Sequence, residues 1–146
     1  MQRFLTDKLL VPDSHIKLLL NESATRQAIL DNFDSHLINN PKINDPAIKP
    51  GDAIIFYYAG HGSRVSTPEG WPHIEGWTRN DGFIETICPY DERTYDANGR
   101  FTHGIPDLTF KILLLRLAAS KGNNIVSIPL SSCLRLSAGL TNELVV

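Results

Sequence analysis

The chain has little cysteine and no surplus of basic side chains. Cys88 and Cys133 are its two cysteines, too few for a disulfide framework and not spaced as C-x-x-C for zinc. Lys and Arg number 14 against 16 Asp and Glu, which gives a net charge of −2. Because no block of Lys and Arg stands out, the composition speaks against a dedicated nucleic-acid-binding protein.

Long apolar runs are also missing. None approaches the roughly 20 residues that a membrane-spanning helix needs, and the opening MQRFLTDKLL lacks the order of a secretory signal. With 146 residues, 42% of them hydrophobic, the chain can form one packed domain or part of a larger one. We therefore expect a cytoplasmic protein with no membrane partner.

The spacing of apolar residues predicts alternating helices and strands. Helices are predicted over 4–9, from a Thr25 cap through Leu37, and from Pro106-Asp107 to Lys121-Gly122. Strands are predicted over 16–20, 53–58 (buried on both faces) and 125–130. This order is typical of an α/β fold, a parallel sheet with helices on its faces. Between 64 and 100 periodicity is absent, apart from an extended stretch near 82–91.

The last predicted helix has an apolar side whose members are four, three and four residues apart. These are Leu108, Ile112, Leu115 and Ala119. We expect this side to face the sheet.

His61 is the first candidate for chemistry. It follows the apolar strand of 53–58 and has Gly60 and Gly62 on either side. In parallel sheets, active sites collect at the carboxyl ends of the strands. Glycines let the backbone pass close to a substrate, and histidine can serve as a general acid or base. We predict a catalytic role for His61.

A cysteine is the natural nucleophile beside a histidine, because an imidazolium favours the thiolate. Cys88 lies in TICPYD, an extended apolar stretch, and is predicted to be a buried structural thiol. Cys133 follows the last predicted strand, at the same edge of the sheet as His61. No neighbouring residue in the sequence would activate its thiol.

The polar middle of the chain holds acidic and tryptophan side chains. The acidic ones are Asp81, Glu85, Asp91, Glu92 and Asp96. They either select a basic substrate or form a solvated loop, and their spacing is not that of a calcium loop, so no metal is predicted. Trp71 and Trp77 either line a cleft or pack the loop against the body of the domain.

Three segments together resemble a caspase-type cysteine peptidase domain (peptidase C14), and more narrowly a fungal metacaspase. They are DAIIFYYAGHGS (52–63), GFIETICPYD (82–91), and GIPD with its leucine-rich helix (104–119). The first resembles the family's motif for the catalytic histidine. The second resembles its D-G-x-x-E-x-I-x-P-x-D stretch, with Asp81 as the opening aspartate.

The resemblance implies a caspase-like three-layer sandwich with a mostly parallel sheet. It implies that His61 and Cys133 are catalytic and that the Gly62 N–H helps to hold the oxyanion. The substrate would be a protein or peptide, cleaved after Arg or Lys as by metacaspases or after Asp as by true caspases. The acidic loop favours a basic residue, with Asp81, Glu85 and Asp91 as the residues that would bind it. No cofactor is implied. Ile84 stands where calcium-dependent members have an aspartate, which speaks against calcium activation.

The end of the chain departs from the family's pattern. The nucleophile motif D-x-C-H-S-G is replaced by IPLSSCLRL around Cys133. We therefore divide the chain into a partial peptidase domain, 1–125, and a divergent tail, 126–146. The family's first strand and the strands after its nucleophile are expected to be missing, which would leave the strands of 16–20 and 53–58 without a partner between them.

An alternative function follows from these departures. An inactive caspase-like fragment with unpaired strand edges could act as a pseudo-peptidase or interaction module, with an intact caspase-like relative as its partner.

Overall fold

Three α-helices and two β-sheets make up the described part of the chain. The computed structural model describes residues 1–39, 48–71, 82–131 and 143–145. The helices are α1 (Gln2–Lys8), α2 (Arg26–Asn32) and α3 (Asp107–Lys121). The strands are β1 (Leu18–Leu20), β2 (Ile54–Gly60), β3 (Gly62–Ser66), β4 (Phe83–Ile87), β5 (Ile105–Pro106), β6 (Ile125–Ser131) and β7 (Glu143–Val145). The α/β class predicted from the sequence is confirmed at this level.

The larger sheet is mixed. Its strand order is β1-β7-β2-β6. β2 and β6 run parallel from Ile54–Ile125 to Gly60–Ser131, whereas β7 is antiparallel to both of its neighbours. The smaller sheet, β3-β4-β5, is antiparallel throughout. The prediction of a mostly parallel sheet is therefore wrong for the described strands, because the chain places a reversed strand beside β2.

β7 fills the position that the sequence led us to expect empty. It pairs with Leu18–Leu20 on one side and with residues 57–59 of β2 on the other. Backbone N–H and C=O groups need partners when they are buried, and three extended residues of any sequence can supply them. The predictions that β1 and β2 lack a partner, and that no strand follows Cys133, are wrong over these residues.

The core lies between the larger sheet and the helices. Thr25 caps α2 as predicted, since its hydroxyl accepts a hydrogen bond from the Ala28 N–H at 3.2 Å. A π-helical turn, Phe33–Ile38, continues α2. Phe33 packs against Phe56 of β2 and Phe110 of α3, with ring centroids 5.5 and 6.3 Å away. This aromatic cluster joins both helices to the sheet.

β2 is buried more deeply on one face than on the other. Ile54, Phe56 and Tyr58 are buried, while the residues between them are only half-buried. The prediction that this strand is buried on both faces is correct for one face alone.

α3 begins after Pro106 and ends before Gly122, whose φ of 93° no helix can continue, as predicted. Its buried side, however, consists of Leu108, Phe110, Leu113 and Leu117. Ile112 and Leu115 are 46% and 53% exposed, and Ala119 is also exposed. The predicted side is wrong except for Leu108. Leucines occur on all sides of this helix, so the spacing of apolar residues does not show which side is buried. The buried side is the one that carries Phe110.

Backbone pairing organises the described residues of the aperiodic middle, 64–71 and 82–100. β3 pairs with β4 from Gly62–Ile87 to Ser66–Phe83. Further along, the Arg93 N–H donates to the Thr102 carbonyl at 2.8 Å and the Asp96 N–H to the Arg100 carbonyl at 2.9 Å, which forms a hairpin over 93–102. None of the helices within the described ranges is long and apolar enough to cross a membrane.

Candidate functional site

His61 lies between two strands that belong to different sheets. β2 ends at Gly60 and β3 begins at Gly62, so His61 is the residue at which the chain leaves the larger sheet. Its side chain is exposed. The sequence-based placement of this histidine at the carboxyl end of a core strand is therefore confirmed.

Tyr58 fixes the backbone on which His61 stands. Its ring is 1% exposed, and its hydroxyl lies 2.9 Å from the His61 carbonyl oxygen and 3.0 Å from that of Cys88. Burial, with the neighbouring Cys88, raises the pKa of Tyr58 well above its ordinary value, so the hydroxyl remains a hydrogen-bond donor at neutral pH. Tyr58 thus links the end of β2 to the end of β4.

The backbone around Gly62 has a defined orientation. The Cys88 N–H donates to the His61 carbonyl at 2.9 Å, and Gly62 is in register with Ile87. In an antiparallel ladder this arrangement makes Gly62–Ile87 a non-hydrogen-bonded pair. The Gly62 N–H consequently points away from β4 and is not part of that ladder.

Cys88 and His61 line the same cavity, which we call the His61 groove. This groove, of about 400 Å³, is lined by His61, Gly62, Cys88 and Glu92, among others. Desolvation and a hydrogen bond to the Glu92 carboxylate raise the pKa of Cys88 to about 12. Cys88 was predicted to be a buried structural thiol. The prediction of burial is wrong, because Cys88 is only partly buried. With its pKa raised this far, the sulfur is a protonated thiol at neutral pH.

The predicted nucleophile and one of the predicted substrate-binding residues fall in parts of the chain that the structure does not describe. Cys133 and Asp81 lie outside the described residues, so no distance relates either of them to His61.

The other two predicted substrate-binding residues, Glu85 and Asp91, do not face the His61 groove. Glu85 is exposed on β4, in register with Arg64, and it points to the opposite face from Thr86. Asp91 accepts a hydrogen bond at 2.7 Å from the Arg26 N–H at the start of α2. The structure therefore does not bring Glu85 and Asp91 together beside His61.

A second and larger cavity adjoins the first. Its volume is about 670 Å³, and it shares Glu92 and Arg93 with the His61 groove. Trp71 lines this cavity, in agreement with the first of the two roles predicted for the tryptophans, that of lining a cleft. Arg26 also lines it, and sequence reasoning missed this residue, because nothing in a helix-starting arginine indicates which cavity it will reach.

Gly104 makes room in this second cavity. A Cβ at this position would lie 2.7 Å from Thr86 Oγ1 and 2.8 Å from Glu92 Oε1. In the sequence, a glycine directly before Ile105-Pro106 is the one sign that another part of the chain packs closely against the backbone at this position.

Within the described ranges, no group of three or more His, Cys, Asp and Glu side chains is arranged to hold a metal ion. Comparison of the chain with family models, with curated proteins and with solved structures gives no match.

Proposed function

We propose that the chain is a caspase-like cysteine endopeptidase domain of the cytoplasm that uses His61 and Cys133. The observation that carries the proposal is the exposed His61, held between two glycines at the carboxyl end of β2, with the Gly62 N–H directed away from its strand partner. The resemblance of 52–63, 82–91 and 104–119 to the caspase-type family supplies the reaction and the three-layer fold.

In this mechanism the Cys133 thiolate attacks the peptide carbonyl carbon, and the carbonyl oxygen takes up the negative charge. The Gly62 N–H donates to that oxyanion; removing one such donor typically costs about 2.7–4 kcal/mol of transition-state stabilisation. As the C–N bond breaks, the His61 imidazolium gives its proton to the leaving amine. Water, deprotonated by His61, then releases the acyl group from sulfur. No cofactor takes part.

We further propose cleavage after Arg or Lys. Of the three acidic residues predicted to bind the substrate, Glu85 and Asp91 do not face the His61 groove, which leaves Asp81 as the predicted contact. Glu92 supports the same preference, because its carboxylate lines the His61 groove and its side chain is 13% exposed. A partly desolvated carboxylate attracts a substrate cation more strongly than an exposed one does.

A non-catalytic module is the second candidate. It is favoured by the state of Cys88, the thiol that the structure describes beside His61: its pKa is raised to about 12, so it is not a thiolate at neutral pH. In this case the chain would bind an intact caspase-like relative without cleaving peptides.

Hydrolysis of fluorogenic peptides ending in Arg, Lys or Asp separates the two candidates. The protein, His61→Ala, Cys133→Ala and the matched control Cys88→Ala are compared, with circular dichroism as the check on folding. We expect hydrolysis after Arg and Lys, its loss in His61→Ala and Cys133→Ala, and its retention in Cys88→Ala.

A folded protein that cleaves none of the peptides would contradict the enzymatic proposal and favour the non-catalytic module. Loss of activity in Cys88→Ala alone would contradict the assignment of Cys133.

A further inference from the structure

Two side chains that line the larger cavity each carry a buried hydrogen-bond donor without a partner. Within the described part of the chain, Arg26 Nε and Trp71 Nε1 are buried nitrogen atoms with no hydrogen-bond partner, and both residues line the cavity of about 670 Å³. Buried polar groups are nearly always satisfied in native proteins, so each exception calls for a physical reason. Two exceptions at one cavity indicate a ligand that accepts hydrogen bonds.

The neighbouring acceptors are already engaged. Asp91 Oδ1 accepts from the Arg26 backbone N–H at 2.7 Å, and the Glu92 carboxylate accepts from the Cys88 thiol and lies 3.9 Å from Arg93 Nε. Neither carboxylate is a hydrogen-bond partner of the two nitrogen atoms, so an acceptor supplied by a ligand would satisfy them.

The polarity of the cavity defines the chemical class of the ligand. Guanidinium and indole nitrogens only donate, so a cationic amine would leave both without an acceptor. A phosphate dianion would bring two negative charges next to the Glu92 carboxylate, which lines the same cavity, whereas a carboxylate brings one. A single carboxylate offers two oxygens to two donors and pairs its charge with Arg26.

The remaining walls are apolar. Val65, Ile84 and Phe101 line the cavity beside Pro106, and the missing Cβ of Gly104 keeps the space next to Thr86 and Glu92 open. Ligand sites commonly combine such apolar walls with a few convergent polar groups. Among the described residues, Glu92 and Arg93 are the ones that this cavity shares with the His61 groove, so it forms a site of its own.

We propose that this cavity binds a carboxylate carried on an apolar body, with Arg26 and Trp71 donating to its oxygens. The carboxylate belongs either to a free organic acid or to an acidic side chain of a peptide, and both sources present the same group. This site does not depend on the proposed peptidase activity.

Binding is measured on the full, ¹⁵N-labelled chain through the indole N–H signals of its two tryptophans. The Trp71 signal is identified by its absence in Trp71→Phe. Benzoate is titrated as the probe, with benzamide as its neutral and benzamidine as its cationic counterpart. We expect benzoate to shift the Trp71 signal downfield to saturation, and benzamide and benzamidine to leave it unchanged.

Two variants test the donors separately. Trp71→Phe keeps the aromatic wall and removes one N–H, and Arg26→Met keeps much of the aliphatic length and removes the cation. Benzoate affinity, followed in Trp71→Phe by backbone amide shifts, should fall about tenfold in each variant, the ratio expected for one hydrogen bond to a charged group. Arg116→Met is the matched control, since Arg116 pairs with Asp34 on the surface and its loss should leave the affinity unchanged.

The source of the carboxylate is tested with acetyl-Ala-Asp-Ala-amide and its Asn counterpart. Binding of benzoate and of the Asp peptide supports a peptide ligand, while binding of benzoate alone supports a free acid. Equal binding of benzoate and benzamide, or full affinity in both Trp71→Phe and Arg26→Met, would overturn the proposal. So would the absence of any shift with both carboxylates in a folded protein.

Discussion

The two sheets of this protein are built on different principles. The larger sheet is held by apolar contacts, with the aromatic cluster of Phe33, Phe56 and Phe110 between it and the helices. The smaller sheet and the 93–102 hairpin are paired through their backbones, with Ile105 as their fully buried contribution to the core. Two side chains with buried, unpartnered nitrogen atoms line the cavity beside them. The first region supplies most of the apolar core, and the second lines the larger of the two cavities described above. His61 lies where the chain passes from one to the other.

The comparison predicts the largest destabilisation inside the first region. Leu117 of α3 is fully buried and Leu115 is 53% exposed. Leu117→Ala should lower the free energy of unfolding by about 2–5 kcal/mol, because a cavity replaces packed methyl groups. Leu115→Ala, the matched control, should change it by less than about 0.5 kcal/mol. Urea denaturation measures both, and equal effects would contradict the assigned face of α3.

A smaller loss is expected in the second region. Gly104→Ala places a methyl group 2.7 Å from Thr86 Oγ1 and 2.9 Å from Thr86 Cβ, and Thr86 is buried at 6% exposure. Overpacking of this kind should destabilise the protein by about 1–3 kcal/mol. Urea denaturation of the variant gives the value, and an unchanged midpoint would show that the cavity wall yields freely.

The junction between the regions depends on the Tyr58 hydroxyl. Tyr58→Phe removes the donor to the His61 and Cys88 carbonyl oxygens while it preserves the buried ring. The free energy of unfolding should fall by about 1–2 kcal/mol, since the partners lose a hydrogen bond in a buried setting. The same variant should lower peptide hydrolysis more than Leu115→Ala does, because the backbone of His61 loses its support. A Tyr58→Phe variant with unaltered stability and activity would contradict this role.

The smallest predicted effect is a pH dependence. The folded-state pKa of Cys88 is raised from 9.0 to about 12, so between these values the unfolded chain loses a proton that the folded chain keeps. Cys88 therefore makes no pH-dependent change below about pH 9, and its contribution to stability declines as the pH rises toward 12. The melting temperature should fall over this range, and less steeply in Cys88→Ala. Identical slopes would contradict the raised pKa. The pKa of Tyr58, which burial and the neighbouring Cys88 raise, is less elevated in Cys88→Ala, so Tyr58 also makes the slope of that variant less steep.

Local sequence pattern was informative for the first region. The apolar run ending in Gly60-His61-Gly62 and the Thr25 cap are local signals, and both elements occur where they were predicted. The buried side of α3 was mispredicted because leucines lie all around that helix.

The second region depends on pairings that no local pattern contains. The pairing of Gly62 with Ile87 brings Cys88 beside His61. This register is set by tertiary packing and not by the local sequence. Two features of the first region also depend on tertiary packing. β7 of the larger sheet pairs with β1 and β2 although the tail has no likeness to the family pattern, and Arg26 reaches the second cavity from the start of α2.

The central claim, that His61 activates Cys133, is tested most directly by labelling both thiols with iodoacetamide across pH 5–10. Peptide mass spectrometry then separates Cys133 from Cys88, which acts as the internal reference. If His61 activates it, Cys133 reacts near pH 6, and this reactivity moves toward the ordinary thiol pKa of about 8.5 in His61→Ala. Cys88 should stay unlabelled below about pH 9 in both proteins. Reaction of Cys133 only near pH 8.5, with or without His61, would contradict the account.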